Sequence, residues 1–129
     1  MLTGGCFCGA VRYEAGSPYH LTNCHCTTCR RTSGAAFVTW FSVRRAEFRL
    51  TQGAPARFRS SAKGVRSFCT HCGSPLTFEF VDADEIDVTT CTLDDPESLP
   101  PEDHTRTRSR LAWVHLRDGL PKYGEVRPT

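Results

Sequence analysis

The sequence predicts a mainly β domain built as an open, twisted assembly of small sheets, and three observations carry that prediction. Short segments in which apolar and polar residues alternate recur along the chain: VRYEA, AAFVTWF, EFRL, ARFRS, PLTFEF, EIDVTTCTL, TRTRSR and LAWVHL. Each is bounded by Gly, Pro, Ser or Asp and is read as a strand, since period two with β-branched and aromatic residues suits a pleated surface. No segment carries the sustained apolar stripe of a long amphipathic helix; TTCRRTS supplies at most a turn or two, and DPESL another. Finally, two cysteine pairs are each followed by glycine, the pattern of metal-bearing turns between such strands.

Taken in chain order, VRYEA belongs to a first hairpin that follows a CxC turn, and AAFVTWF follows the cysteine-rich stretch NCHCTTCRRTSG. EFRL and ARFRS are short and arginine-bearing. PLTFEF places Leu76, Phe78 and Phe80 on one face, expected to be core. TRTRSR, if extended, projects Arg106, Arg108 and Arg110 together, and LAWVHL closes the series. The 129 residues carry no linker, repeat or low-complexity run, so one domain spanning 1–129 with a short frayed tail is expected.

Eight of the hydrophobic residues are cysteines and only one is isoleucine, a lean supply for a core of this length. Something other than apolar burial is expected to contribute to stability. The start MLTGGCFCGAVRY lacks the basic and apolar regions of a secretory signal, and no apolar run is long enough to span a bilayer. The expected compartment is the cytoplasm, where thiols stay reduced and eight cysteines point to metal ligands or catalytic groups rather than disulfides. Charge is uneven: nine Arg or Lys against one acid, Glu47, between Arg30 and Arg66, then ten acids and no base from Glu79 to Asp103. The two segments are expected to face each other or to be separately solvated; the functional reading is a basic wall for an anion, and fourteen of the sixteen bases are Arg, suited to forked binding of carboxylate or phosphate.

Cys6 and Cys8 are spaced CxC before Gly9, and Cys69 and Cys72 are spaced CxxC before Gly73. Neighbouring side chains of a strand point to opposite faces, so two sulfurs meant for one ion need a turn, and the trailing glycine accepts its positive φ. Each pair reads as half of a zinc knuckle, and two halves make a closed four-sulfur structural site. It would bridge a loop of roughly sixty residues, where a cross-link restricts the unfolded chain strongly.

Cys24, Cys26 and Cys29 remain, spaced CxCxxC. Three thiolates from one loop can hold a tetrahedral zinc and leave one position for an exchangeable group, the arrangement of catalytic zinc. The spacing equally allows a second closed site completed by His25, His71, Cys91 or another His, and a redox role is a third reading. Seven thiolates and two divalent cations would change the formal charge from +2 to −1, which weakens any argument from basicity to nucleic acid.

In these motifs, GGCFCGAVRY, NCHCTTCRRTSGAAF, SFCTHCGSPL, TLDDPESLPPEDH, the Trp113 segment and DGLPKYG, the chain resembles the glutathione-dependent formaldehyde-activating enzyme family, which shares its Mss4-like fold of several small coiled sheets. The resemblance assigns Cys6, Cys8, Cys69 and Cys72 to a structural zinc and Cys24, Cys26 and Cys29 to a catalytic one, two per chain. It implies a carbon–sulfur lyase activity: reversible addition of the glutathione thiol, or another thiol, to formaldehyde or a small aldehyde. Three thiolate ligands leave the site at net −1 and a weak activator of water, which favours thiol capture as the metal's role. Glutathione carries two carboxylates, so Arg30 and Arg31 are candidate anchors, followed by Arg57, Arg59 and Arg66. His25 could relay a proton; His104 and His115 are weaker candidates. Cys91 stands where the family more often has a small residue, and is read as buried filler.

The competing reading is a non-catalytic, zinc-ribbon-like module that binds nucleic acid or protein through its arginines. Aromatic residues do not interleave with Arg106, Arg108 and Arg110, so stacking on bases has little support. A third possibility is that both metals serve only to staple the fold.

Overall fold

A computed structural model describes residues 1–128. Ten strands run β1 (Leu2–Gly5), β2 (Arg12–Ala15), β3 (Tyr19–Cys24), β4 (Val38–Arg44), β5 (Phe48–Gln52), β6 (Ala56–Arg59), β7 (Gly64–Phe68), β8 (Pro75–Phe80), β9 (Glu85–Thr89) and β10 (Asp103–Thr105). A single α-helix, α1 (Thr27–Ser33), lies between β3 and β4. The strands form a three-stranded sheet, β1-β2-β5, and a seven-stranded sheet, β10-β3-β4-β9-β8-β7-β6. All pairs are antiparallel except β10 on β3, which is parallel. The mainly β, small-sheet architecture expected of an Mss4-like chain is therefore the one observed.

The core sits where the two sheets meet. Tyr13 and Ala15 of β2 pack with Phe41 and Val43 of β4, Leu76 of β8, and Ile86 and Val88 of β9; Cys6 and Cys69 belong to the same cluster. Tyr13 is buried whole, and its hydroxyl is paired with Thr92 Oγ1 at 2.8 Å, so the ring adds area without leaving a polar atom unmatched. A smaller cluster of Cys29, Val38 and Trp40 lies on the opposite face of the large sheet, with Cys24, Cys26 and Phe78 packed against it.

Register fixes that second face. Arg66 opposes Phe78, Phe78 opposes Asp87, and Asp87 opposes Ser42, so these four form a row across β7, β8, β9 and β4. Expected as core, Phe78 instead packs on the smaller cluster and Phe80 is exposed, while Leu76 turns into the main core. The face they occupy is only partly covered.

Other departures have local causes. Arg106 adopts a left-handed conformation and Thr107–Ser109 winds into a 3-10 turn, so TRTRSR is no strand. LAWVHL is irregular, with Trp113 68% exposed, because its backbone closes a local turn instead of joining a sheet: Val114 N–H donates to Leu111 O, and the Arg110 side chain to the Val114 carbonyl. β1, β3 and β7 were not expected; their Gly, His, Asn and Ser content hides the alternation, and neighbouring strands supply their order. DPESL does form a 3-10 turn over Pro96–Ser98.

The two charged segments face each other. Arg45 and Arg57 both pair with Glu79, whose side chain is 4% exposed, and Lys63 pairs with Asp82. Arg127, within the stretch expected to fray, donates from Nε to Asp103 Oδ2 at 2.6 Å, and Thr129 lies outside the described residues. Among the described residues no helix is long and apolar enough to cross a membrane.

Asp87 tests the second face. Burial pushes its carboxyl up to about 6, against the Ser42 hydroxyl, which donates to Oδ1 at 2.6 Å and lowers it. A carboxyl raised on folding favours the native state while protonated and opposes it once ionised, so its contribution falls as pH rises through about 6. Asp87→Asn is expected to raise Tm by about 5 °C at pH 8, with the gain shrinking towards zero below pH 4, when thermal unfolding is followed across that range.

Candidate metal centre and adjoining cleft

The Cys6–Cys8 and Cys69–Cys72 turns meet at one point. Cys8 Sγ lies 3.6 Å from Cys6 Sγ and 3.7 Å from Cys69 Sγ, and all four sulfurs fall within 4.8 Å of one another. Zinc–sulfur bonds of about 2.3 Å in a tetrahedron place sulfurs about 3.8 Å apart, so the group fits such an ion. Gly9 and Gly73 take φ of 81° and 78°, the left-handed turn that glycine was expected to permit at both places. Backbone N–H groups of Val11 and His71 donate to Cys6 and Cys69 sulfurs, and Ser74 Oγ accepts from Phe7 N–H, tying one knuckle to the other.

Cys24, Cys26 and Cys29 form the second group, also within 4.8 Å, with Cys29 Sγ 3.5 Å from Cys24 Sγ. The local fold explains the convergence. Cys24 ends β3, Cys26 is the N-cap of α1 and accepts from Cys29 N–H at 3.2 Å, and Cys29 lies one turn into the helix. Hydrogen bonds from the Cys24 and Cys29 thiols hold Cys26 well below the usual thiol range, while the same contacts push Cys24 up. Three thiols this close share one negative charge; a divalent cation would allow all three to ionise. No fourth His, Cys, Asp or Glu joins this group among the described residues.

The remaining candidates separate clearly. His25 is buried and its Nε2 lies 2.9 Å from His104 Nδ1; His104 Nε2 lies 2.7 Å from the exposed carboxylate of Asp118. The carboxylate can only accept, so His104 donates to it from Nε2. With both rings neutral, His104 Nδ1 then accepts from His25 Nε2–H, and His25 Nδ1 is a bare, buried nitrogen without a partner. Burial first, then the repulsion that a protonated His104 would exert and that of Arg110, depress His25 to about 4, so the two rings do not carry charge together. Its ring packs at a tilt against Phe37, centroids 4.8 Å apart, and its backbone N–H donates to Thr105 O of β10. Sequence reasoning named His25 and His104 separately and gave Asp118 no role, because nothing in the sequence signals that they join.

Cys91 is exposed rather than buried filler, since the strand ends at Thr89 and the chain turns outward in a 3-10 turn; neither it nor His71 enters the three-sulfur group. Arg30 donates to Thr27 within its own helix, and Arg31 is exposed on that helix. Beside the group lies a cleft of about 340 Å³ whose lining includes Arg66, and neither Arg30 nor Arg31. Arg57 is paired with Glu79, and Arg59 with the Ala62 carbonyl. The extended Arg106–Arg110 face required by a nucleic-acid module is not formed: Arg106 and Arg108 pair with Glu125, and Arg110 caps the Val114 carbonyl.

A family model described as glutathione-dependent formaldehyde-activating enzyme matches residues 1–109. A Halomonas elongata protein that carries the provisional name glutathione-dependent formaldehyde-activating enzyme is 28% identical over 127 residues, 90% of this chain and 81% of its own length. An uncharacterized lyase of Schizosaccharomyces pombe is 29% identical over 79 residues, 60% of this chain and 56% of its own. The crystal structure of a Rhodobacter sphaeroides protein superposes with a TM-score of 0.62 at 22% identity, covering 94% of this chain and 98% of that one, a likeness of fold.

The imidazole arrangement has a spectroscopic signature. In ¹⁵N NMR at pH 8, His25 is expected to show a protonated Nε2 and an unprotonated Nδ1; Asp118→Ala is expected to scramble the His104 tautomer and, through it, that of His25.

Proposed function

From the premise that this chain belongs to the glutathione-dependent formaldehyde-activating enzyme family, we propose that it is a zinc-dependent enzyme of the carbon–sulfur lyase type. It adds a thiol reversibly to formaldehyde or another small aldehyde, with glutathione the first thiol to try. The observation that carries this reading is the three-sulfur group Cys24, Cys26 and Cys29, which no fourth side chain completes among the described residues. The relatives' names support the same class of reaction.

Cys24, Cys26 and Cys29 would hold a zinc ion, which would supply an exchangeable position and favour the thiolate form of an added thiol near neutral pH. The reaction joins sulfur to carbon, breaks the carbonyl π bond, and returns the thiol proton to oxygen, so it needs no redox partner. Cys26, taking the Cys29 N–H, is the sulfur best prepared to carry charge. Arg30 and Arg31 sit on the helix that bears Cys29 and are assigned as outer anchors for an anionic thiol. His25 is assigned a relay: its bare Nδ1 accepts a proton, and the path through His104 to Asp118 leads to solvent. A group depressed to about 4 holds a proton only briefly, which suits passage rather than storage.

The four-sulfur group is assigned to a structural zinc. The whole of 1–129 is taken as one domain, since the segment beyond residue 109 returns to β10: Pro121 O accepts from His104 N–H, and Tyr123 N–H donates to His104 O. All eight cysteines are free thiols, in keeping with a reducing cytoplasm as its compartment.

Metal analysis should find two zinc ions per chain in the wild type and one in Cys29→Ser, with a Tm close to wild type. Cys69→Ser should lose the other ion and unfold more than about 10 °C lower, because binding energy at a structural zinc is folding energy. Exchange NMR of glutathione with formaldehyde should show faster adduct formation and breakdown with zinc-loaded protein, falling about 100-fold or more in Cys29→Ser. No acceleration over buffer by the fully loaded wild type rejects the activity.

A further inference from the structure

The cleft beside the three-sulfur group has a composition of its own. Trp40, Phe58, Phe68 and Pro75 supply apolar walls around about 340 Å³, and Arg66 is the one charged residue in the lining. Phe58 is 59% and Phe68 37% exposed, an unusual concentration of accessible aromatic surface on one sheet face. The Arg66 guanidinium stacks over Phe78, with Cζ 4.7 Å from the ring centroid. Stacking uses the flat face of the ion and leaves its in-plane N–H donors free. One of them, Nε, is buried without a hydrogen-bond partner. The carboxylate nearest in register, Asp87, is taken by Ser42, and Glu79 is taken by Arg45 and Arg57. A buried donor left unmatched on a guanidinium is costly, and a ligand carboxylate would match it as a fork.

The cleft adjoins the metal loop. Thr32 and Ser33, in the turn of α1 after Cys29, contribute to its lining, and Trp40 packs in one cluster with Cys29.

We propose that this cleft receives the body of the thiol substrate and that Arg66 determines specificity, selecting a thiol with one carboxylate on an apolar or aromatic frame. The inference rests on the thiol–aldehyde reading above and narrows it. Glutathione brings two carboxylates and an ammonium, whereas the lining holds no acidic side chain to receive the ammonium. A small mercapto acid matches one guanidinium between aromatic walls in full; the tripeptide can seat one carboxylate there but leaves its ammonium and second carboxylate outside the cleft.

Two probes without a thiol isolate the cleft from the chemistry: 3-phenylpropanoate and its uncharged isostere 3-phenylpropanamide, titrated into zinc-loaded protein while the Arg66 Nε–H resonance is followed by NMR. The acid is expected to bind about tenfold or more tightly than the amide and to shift that resonance. Arg66→Gln should abolish the preference, and Arg66→Lys should restore part of it, since an ammonium keeps charge but not the fork. Turnover should agree: Arg66→Gln raises KM for 4-(mercaptomethyl)benzoate about tenfold with kcat little changed, and leaves benzyl mercaptan unaffected. Equal binding of acid and amide by the wild type, binding of neither at millimolar concentration, or an acid preference that survives Arg66→Gln would overturn the proposal. An Arg66-dependent acid preference in a wild type that accelerates no thiol addition upholds the carboxylate site and removes only the reaction.

Discussion

Thiolates repel one another, and this chain brings seven cysteine sulfurs into two groups so tight that neither can ionise fully without a cation. The rest of the architecture serves that constraint. The first group draws its sulfurs from two turns roughly sixty residues apart, and Cys6 and Cys69 belong to the same buried cluster as Tyr13, Phe41 and Val88. A core with one isoleucine is thus continuous with a corner whose four sulfurs could hold an ion, where coordination would reinforce the same junction between sheets as apolar burial.

The second group is supported differently. Its sulfurs come from a strand end, a helix cap and the first helical turn, all within six residues, so their spacing is set locally. What orients this loop is remote: β10 runs parallel to β3, Thr105 O holds the His25 backbone, and His104 holds the ring. The first group organises the fold, and the fold organises the second. That division is the physical basis for reading one as structural and the other as reactive.

Much of this was legible in the sequence. The CxC and CxxC turns, each with its positive-φ glycine, followed from the opposed faces of neighbouring strand residues, and TTCRRTS, allowed at most a turn or two, is the short helix α1, which begins inside CxCxxC. The facing of the basic and acidic segments was one of the two readings allowed, and Glu79 with its two arginines shows it realised. Long-range partnerships were not legible. Asp118 meets His104 because a loop returns along the sheet edge, and a sequence window cannot contain that. Phe78 and Leu76 alternate like residues of one face, yet they serve different clusters, because the β7–β8 register shifts between Ser67 and Phe68, from Thr77 to Pro75, and leaves Leu76 as the extra residue. Arg66 looked like one arginine among many; its distinction is to line the cleft while stacked on Phe78 with Nε unmatched, which only the packed neighbourhood reveals.

The parallel contact of β10 with β3 joins residues about eighty positions apart, and it bears on the order of events during synthesis. The three cysteines of the loop leave the ribosome well before His104, Pro121 and Tyr123, which seat the loop from behind. A nascent chain therefore passes through a stage in which the ligands are present and their backing is not. Any ion acquired then would be held by a mobile hook, and tightening of that hook would wait for the carboxyl-terminal turns to arrive.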